Sequence, residues 1–154
     1  MIEFQHRIDI EGSPSEVFAL LADVERISVW QRSVIEVTKR TPGAVRTGTV
    51  VEETLRMMGR RRASVRVAAY TPVDLIAFAG DAGFVDYYCA FELTPTGSGG
   101  TTLIGRTEFR LHGLWKVLQP LMSVAIRRET AKELATFKRL VEAATVAAQP
   151  APAN

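Results

Sequence analysis

The chain has 154 residues, 47% of them hydrophobic and 23% charged, with a formal net charge of +2, a composition that fits one ordinary globular domain able to bury roughly two thirds of its unfolded surface. So small and scattered a charge leaves no footprint for nucleic acid. Arg60, Arg61 and Arg62 read as a solvated hairpin tip, with contact to a phosphate or an acidic partner as the alternative. The single cysteine, Cys89, excludes an internal disulfide; with no leader-like opening and no run near ~18 apolar residues, a soluble cytoplasmic protein without stable membrane insertion is expected.

In chain order, Ile2 to Glu11 alternates apolar and polar residues, which predicts a half-buried strand with Ile2, Phe4, His6, Ile8 and Ile10 inward. Ser13-Pro14-Ser15-Glu16 then offers a capping box with proline at the first helical position, starting a short helix to Leu21. Asp23 offers a second cap before a short helix from Val24 to Trp30. From there the period becomes twofold. Strands are expected over Val34 to Arg40, Thr47 to Met57, Arg62 to Tyr70, Leu75 to Ala79, Phe84 to Leu93 and Thr102 to His112. Alternation turns Thr49, Val51, Glu53, Leu55 and Met57 inward on the second of these, and Ala63, Val65, Val67 and Ala69 on the third. It does the same for Val85, Tyr87, Cys89, Phe91 and Leu93, and for Leu103, Gly105, Thr107, Phe109 and Leu111. Short turns between the strands require antiparallel pairing.

Leu114 to Ala144 reads as one long helix, with Met122, Ile126, Thr130, Leu134, Phe137 and Val141 at spacings of three and four. A second stripe, Leu114, Leu118, Leu121 and Ala125, points elsewhere, so the helix is expected to bend or restart near Pro120. Thr130 leaves a gap in the main stripe where packing would prefer leucine, and a gap of that kind suggests a cavity. One domain is expected over residues 2–145, followed by a disordered tail over 146–154.

Ile8-Asp9-Ile10 followed by Ser13-Pro14-Ser15-Glu16-Val17-Phe18, then Leu21-Ala22-Asp23-Val24-Glu25-Arg26 leading to Trp30, and Leu134 to Glu142 with Phe137-Lys138 resemble the START/Bet v1-like helix-grip superfamily. Within it the chain looks most like the polyketide cyclase/dehydrase and lipid-transport branch. The resemblance implies an α+β fold, with a curved antiparallel sheet of about seven strands around a long C-terminal helix and two short helices after the first strand. It also implies an apolar cavity between that helix and the sheet, open near the short helices and hairpin loops. Members include aromatase/cyclases, dehydratases, and carriers of quinones, sterols and lipids, so fold alone does not select a function.

The residues that would line such a cavity are Trp30, Val51, Glu53, Leu55, Met57, Val67, Tyr87, Cys89, Thr107, Phe109, Met122, Ile126, Thr130 and Leu134. His6, Glu53 and Tyr87 carry the chemistry, because an imidazole or carboxylate in an apolar space has its proton affinity drawn toward neutrality. Glu53 or His6 would be the base of a cyclisation or dehydration and Tyr87 the donor to a carbonyl oxygen. The plainer alternatives are a core histidine, a partnered buried carboxylate and a packing tyrosine. His6 and His112 are the only histidines and no carboxylates stand at ligand spacing around them, so neither metal nor cofactor is expected. Three functions follow: binding of a small hydrophobic molecule, a cyclase or dehydratase in the same cavity, or a protein-interaction role marked by a broad exposed apolar patch over a filled core. A homodimer is left open.

Overall fold

In the computed structural model, residues 1–149 are described. The strands are β1 (Ile2–Ile10), β2 (Val34–Lys39), β3 (Val50–Arg56), β4 (Arg60–Thr71), β5 (Leu75–Asp81), β6 (Val85–Pro95) and β7 (Thr101–Leu111). The helices are α1 (Pro14–Ala22) and α2 (Gln119–Ala148), with 3-10 segments at Val24–Val29 and Gly113–Leu118. The seven strands form one antiparallel sheet in the order β1-β7-β6-β5-β4-β3-β2. Hairpin turns lay β2 to β7 side by side, and β1 adds to the far edge beside β7. The α+β helix-grip architecture expected from the sequence is the one observed.

Local chemistry explains the helix starts. Ser13 Oγ accepts from the Glu16 amide and the Glu16 carboxylate accepts from the Ser13 amide, so the capping box is complete with Pro14 in the first turn. Asp23 makes no side-chain cap bond, and its carboxylate lies 3.8 Å from Arg26 instead. The long C-terminal helix restarts as expected: a 3-10 turn ends at Leu118 and α2 begins at Gln119, with Pro120 in its first turn where a missing amide costs nothing. At 30 residues α2 is roughly 45 Å long. It also continues past the expected domain end, since Val146 to Ala148 are helical. The rest of the expected tail, 150–154, lies outside the described residues.

Two expected placements are corrected by the backbone. A bulge between Val67 and Ala69 in β4 flips the alternation. Tyr70 rather than Ala69 therefore packs on the core, edge-on to Phe18 at 5.4 Å. The arginine run lies on the first residues of β4, not at a hairpin tip, and the tip is Met57-Met58-Gly59. The second stripe, Leu114, Leu118, Leu121 and Ala125, points away from the main one, and only Leu118 in it is half-buried.

The core has two parts. The larger joins α1, the Val24–Val29 turn, β3 to β7 and the second half of α2 through Phe18, Leu21, Trp30, Phe91, Phe137 and their neighbours. The smaller gathers Ile2, Phe84, Phe109, Leu111 and Met122 under the start of α2. Among the described residues no helix is long and apolar enough to cross a membrane.

Candidate functional site

Between the two core regions the packing does not close. A cavity of about 110 Å³ remains under the middle of α2. From the sheet it is walled by Glu53, Leu55 and Met57 on β3 and its turn, by Tyr87, Cys89 and Phe91 on β6, and by Thr107 and Phe109 on β7. Trp30 and Ser33 close one side, and Ile126, Glu129, Thr130, Glu133 and Leu134 of α2 form the roof. Thr130 is thus the helix residue whose short side chain leaves room. The space is somewhat smaller than the engineered cavity of roughly 150 Å³ that accommodates benzene, so a ring seated in it would also occupy its open side. A groove of about 430 Å³ adjoins it between the β3–β4 turn and α2, sharing Ser33, Met57, Ile126 and Glu129 and adding Arg32, Arg56, Met58, Met122 and Ala125. A longer molecule would extend there.

Not every expected lining residue reaches this space. Val51 and Val67 are sealed in the larger core, and Met122 borders the outer groove. The small side chains of Ala63, Val65 and Val67 leave no open space there. The aromatic rings of Phe18, Phe78, Phe91 and Phe137 fill that end of the sheet. His6 lies on the inner face of β1, edge-on to Phe4 at 5.3 Å, and does not line the cavity. Burial and then the nearby Arg127 charge lower its pKa, and its Nε2 is buried without a partner.

Glu53 and Tyr87 do meet. Their strands, β3 and β6, are three spacings apart, roughly 14 Å along the sheet. Two features let the side chains span that distance: the sheet curves, and the cross-strand neighbours of the pair are small, Ala63 beside Glu53 and Gly80 beside Tyr87. The Tyr87 ring lies over Gly80, its cross-strand neighbour, so closely that a Cβ there would fall 2.1 Å from the ring. The phenol then donates to Glu53 Oε2 at 3.3 Å. Gly80→Ala is expected to cost about 1–3 kcal/mol by overpacking and to push the phenol off Glu53. Denaturant unfolding checks the first effect. The second would appear as a rise in the Glu53 pKa by NMR titration, because the lost bond was one that favoured the carboxylate.

Electrostatics single out the same pair. Glu53 is 5% exposed. Burial pushes its pKa up to about 7, offset by the Tyr87 bond and reinforced by the Glu133 charge. Burial, and then the Glu53 charge, raise Tyr87 well above the usual phenol range. Cys89 is pushed up to about 12 by burial, so its thiol stays protonated and is no nucleophile.

A second buried carboxylate, Glu133, had no sequence signal beyond being one position off the Leu134 stripe. Its Oε1 accepts from the Ser33 amide at 2.9 Å and the Ser33 hydroxyl at 2.6 Å, tying α2 to the start of β2. Burial raises its pKa while the Ser33 bonds lower it. The ionisable side chains lining the cavity are therefore three glutamates, a tyrosine and a cysteine, with no lysine, arginine or histidine. No group of metal-ligating side chains occurs among the described residues.

The fold has known counterparts. An aromatase/cyclase from Streptomyces sp. R1128 superposes with a TM-score of 0.77 at 15% identity, over 91% of this chain and 93% of that one. A Thermus thermophilus protein gives 0.74 at 18% identity, over 92% and 98%. One di-domain aromatase/cyclase, from the BE-7585A biosynthetic pathway, gives 0.73 at 18% identity over 92% of this chain and 47% of its own. At these identities the likeness shows the fold alone. No curated protein matches the sequence. The sequence model described as polyketide cyclase / dehydrase and lipid transport matches residues 1–142, nearly the whole chain, and the protein belongs to that family.

Proposed function

We propose that the protein binds a small hydrophobic molecule of the polyketide, quinone or lipid-like class, with a ring in the cavity under α2 and the remainder in the adjoining groove. The observation that carries this reading is a partly enclosed, mostly apolar space whose wall holds two hydrogen-bonded pairs, Tyr87–Glu53 and Ser33–Glu133, the pattern of a site that desolvates a ligand and orients it through few polar contacts. The inner cavity carries no cationic side chain, while Arg32 and Arg56 line only the adjoining groove, so the end of a guest seated inside is favoured when it donates hydrogen bonds and disfavoured when it is anionic. Calorimetry with 4-propylphenol and 4-propylbenzoate tests this. The phenol is expected to bind and the benzoate to bind at least about tenfold more weakly, because its charge would be buried unpaired. Equal binding would remove the role of the acidic wall, and no binding by either compound or by longer apolar analogues would end the reading.

A second reading, a cyclase or dehydratase, is favoured by one specific observation. Glu53 titrates near neutrality while touching a phenol that can donate to a carbonyl oxygen. That is what proton removal beside a carbonyl requires. Aromatase/cyclases among the structural counterparts support the same chemistry. On this reading, a poly-β-ketone substrate should be turned over, and Glu53→Gln should cut the rate about 10²- to 10⁴-fold while the ligand still binds.

A further inference from the structure

We propose that the surface made by the Gly113–Leu118 turn and the first turns of α2 docks onto an anionic lipid surface. Four large aliphatic side chains protrude there: Leu114 is 89% exposed, Val117 80%, Leu121 72% and Val124 50%. Their spacing of three, four and three makes one continuous stripe along the turn and helix. Single exposed apolar residues are ordinary on a protein, but a contiguous stripe marks an interaction surface. Met58, also exposed, stands beside it across the groove that holds Met122 and Ala125.

Charge selects the occupant. From His112 to Arg128 the chain carries Lys116, Arg127 and Arg128 and no aspartate or glutamate. Arg61 brings the basic run of β4 to the same place, its guanidinium 5.9 Å from the Trp115 ring and 5.4 Å from Phe84. On the other side Lys116 and Arg127 border a groove with Pro120, where Glu3 is the single carboxylate. Protruding aliphatic groups ringed by cations fit an interface with acyl chains below and anionic headgroups around. A second copy of the chain fits poorly, because a twofold contact would set each cationic rim against its own duplicate. Met122 and Ala125, the chain neighbours of Leu121 and Val124, line the groove that adjoins the cavity, so docking would let an apolar guest pass without crossing water. That use, unlike the docking, rests on the function proposed above.

Co-sedimentation of the full chain with phosphatidylcholine vesicles, and with vesicles containing phosphatidylglycerol at about one third, tests the surface without any cavity ligand. Binding is expected to be at least about tenfold stronger on the anionic vesicles and to weaken in high salt. Leu114→Glu and Leu121→Glu should each lower it about tenfold or more. Val146→Glu, at an exposed apolar position at the far end of α2, should bind like the parent. Four outcomes would overturn the proposal: no pelleting with anionic vesicles, equal affinity for neutral ones, parent-like binding by both leucine variants, or a dimer in solution that those variants dissociate. Vesicle binding by a protein that retains no hydrophobic ligand would sustain the docking and count against the cavity function alone.

Discussion

Trp30→Ala is expected to destabilise the protein by about 3–5 kcal/mol, the usual cost of removing a large core aromatic. Trp30 is 2% exposed and stands edge-on to Phe137 at 5.0 Å and to Phe91 at 6.3 Å. It thereby joins the Val24–Val29 turn, α2 and β6 in one contact. Because it also walls the cavity, truncation would merge the new void with the existing space. One term works the other way: the indole Nε1 is buried with no partner, so the parent already bears an unmade hydrogen bond worth about 1–3 kcal/mol. Trp30→Phe, which removes that amine and keeps a ring, should therefore cost much less than Trp30→Ala. Urea unfolding of the two variants separates the contributions; similar losses for both would show that ring volume is not what holds this corner.

The second large effect depends on pH. Glu53 has a folded pKa of about 7, above the ordinary glutamate value of 4.5. Its burial therefore favours the protonated form. As pH falls from about 7 toward 4.5, the folded chain takes up a proton that the unfolded chain does not yet hold, and the protein gains stability; above about 7 the full penalty of a buried carboxylate remains. A difference of that size corresponds to about 3 kcal/mol. Glu53→Gln keeps an acceptor for the Tyr87 hydroxyl and never ionises. The variant should exceed the parent by up to about 3 kcal/mol at about pH 8, with the gap closing below about pH 5. Chemical denaturation of both proteins at those two pH values reads the difference directly. A gap that does not change with pH would mean that Glu53 is solvated in the folded state. A stabilising loss of charge at this position would also say that the carboxylate is kept for a use other than stability, in line with the stability cost that active sites carry.

Periodicity alone determined a good deal about this protein. Alternation put Glu53, Tyr87, Cys89, Thr107 and Phe109 on the concave face, and three-four spacing put Ile126, Thr130 and Leu134 against it. The capping box before α1 and the restart at Pro120 were equally legible, because each is settled by residues a few positions apart. Tertiary structure decided the rest. The β4 bulge that exchanges Ala69 for Tyr70 depends on pairing with β5, and the sealing of Val51 and Val67 depends on aromatic rings brought in by α1, β5, β6 and α2. His6 shares the inner face yet lies away from Glu53, since alternation fixes which side a residue faces and not how far along the sheet it stands. The Tyr87–Glu53 bond spans 34 residues and the Ser33–Glu133 clamp spans 100. Such contacts have no local signature. They exist because the sheet curves and Gly80 leaves space for a ring, so the chain's local pattern set the faces while packing over distance chose which side chains meet.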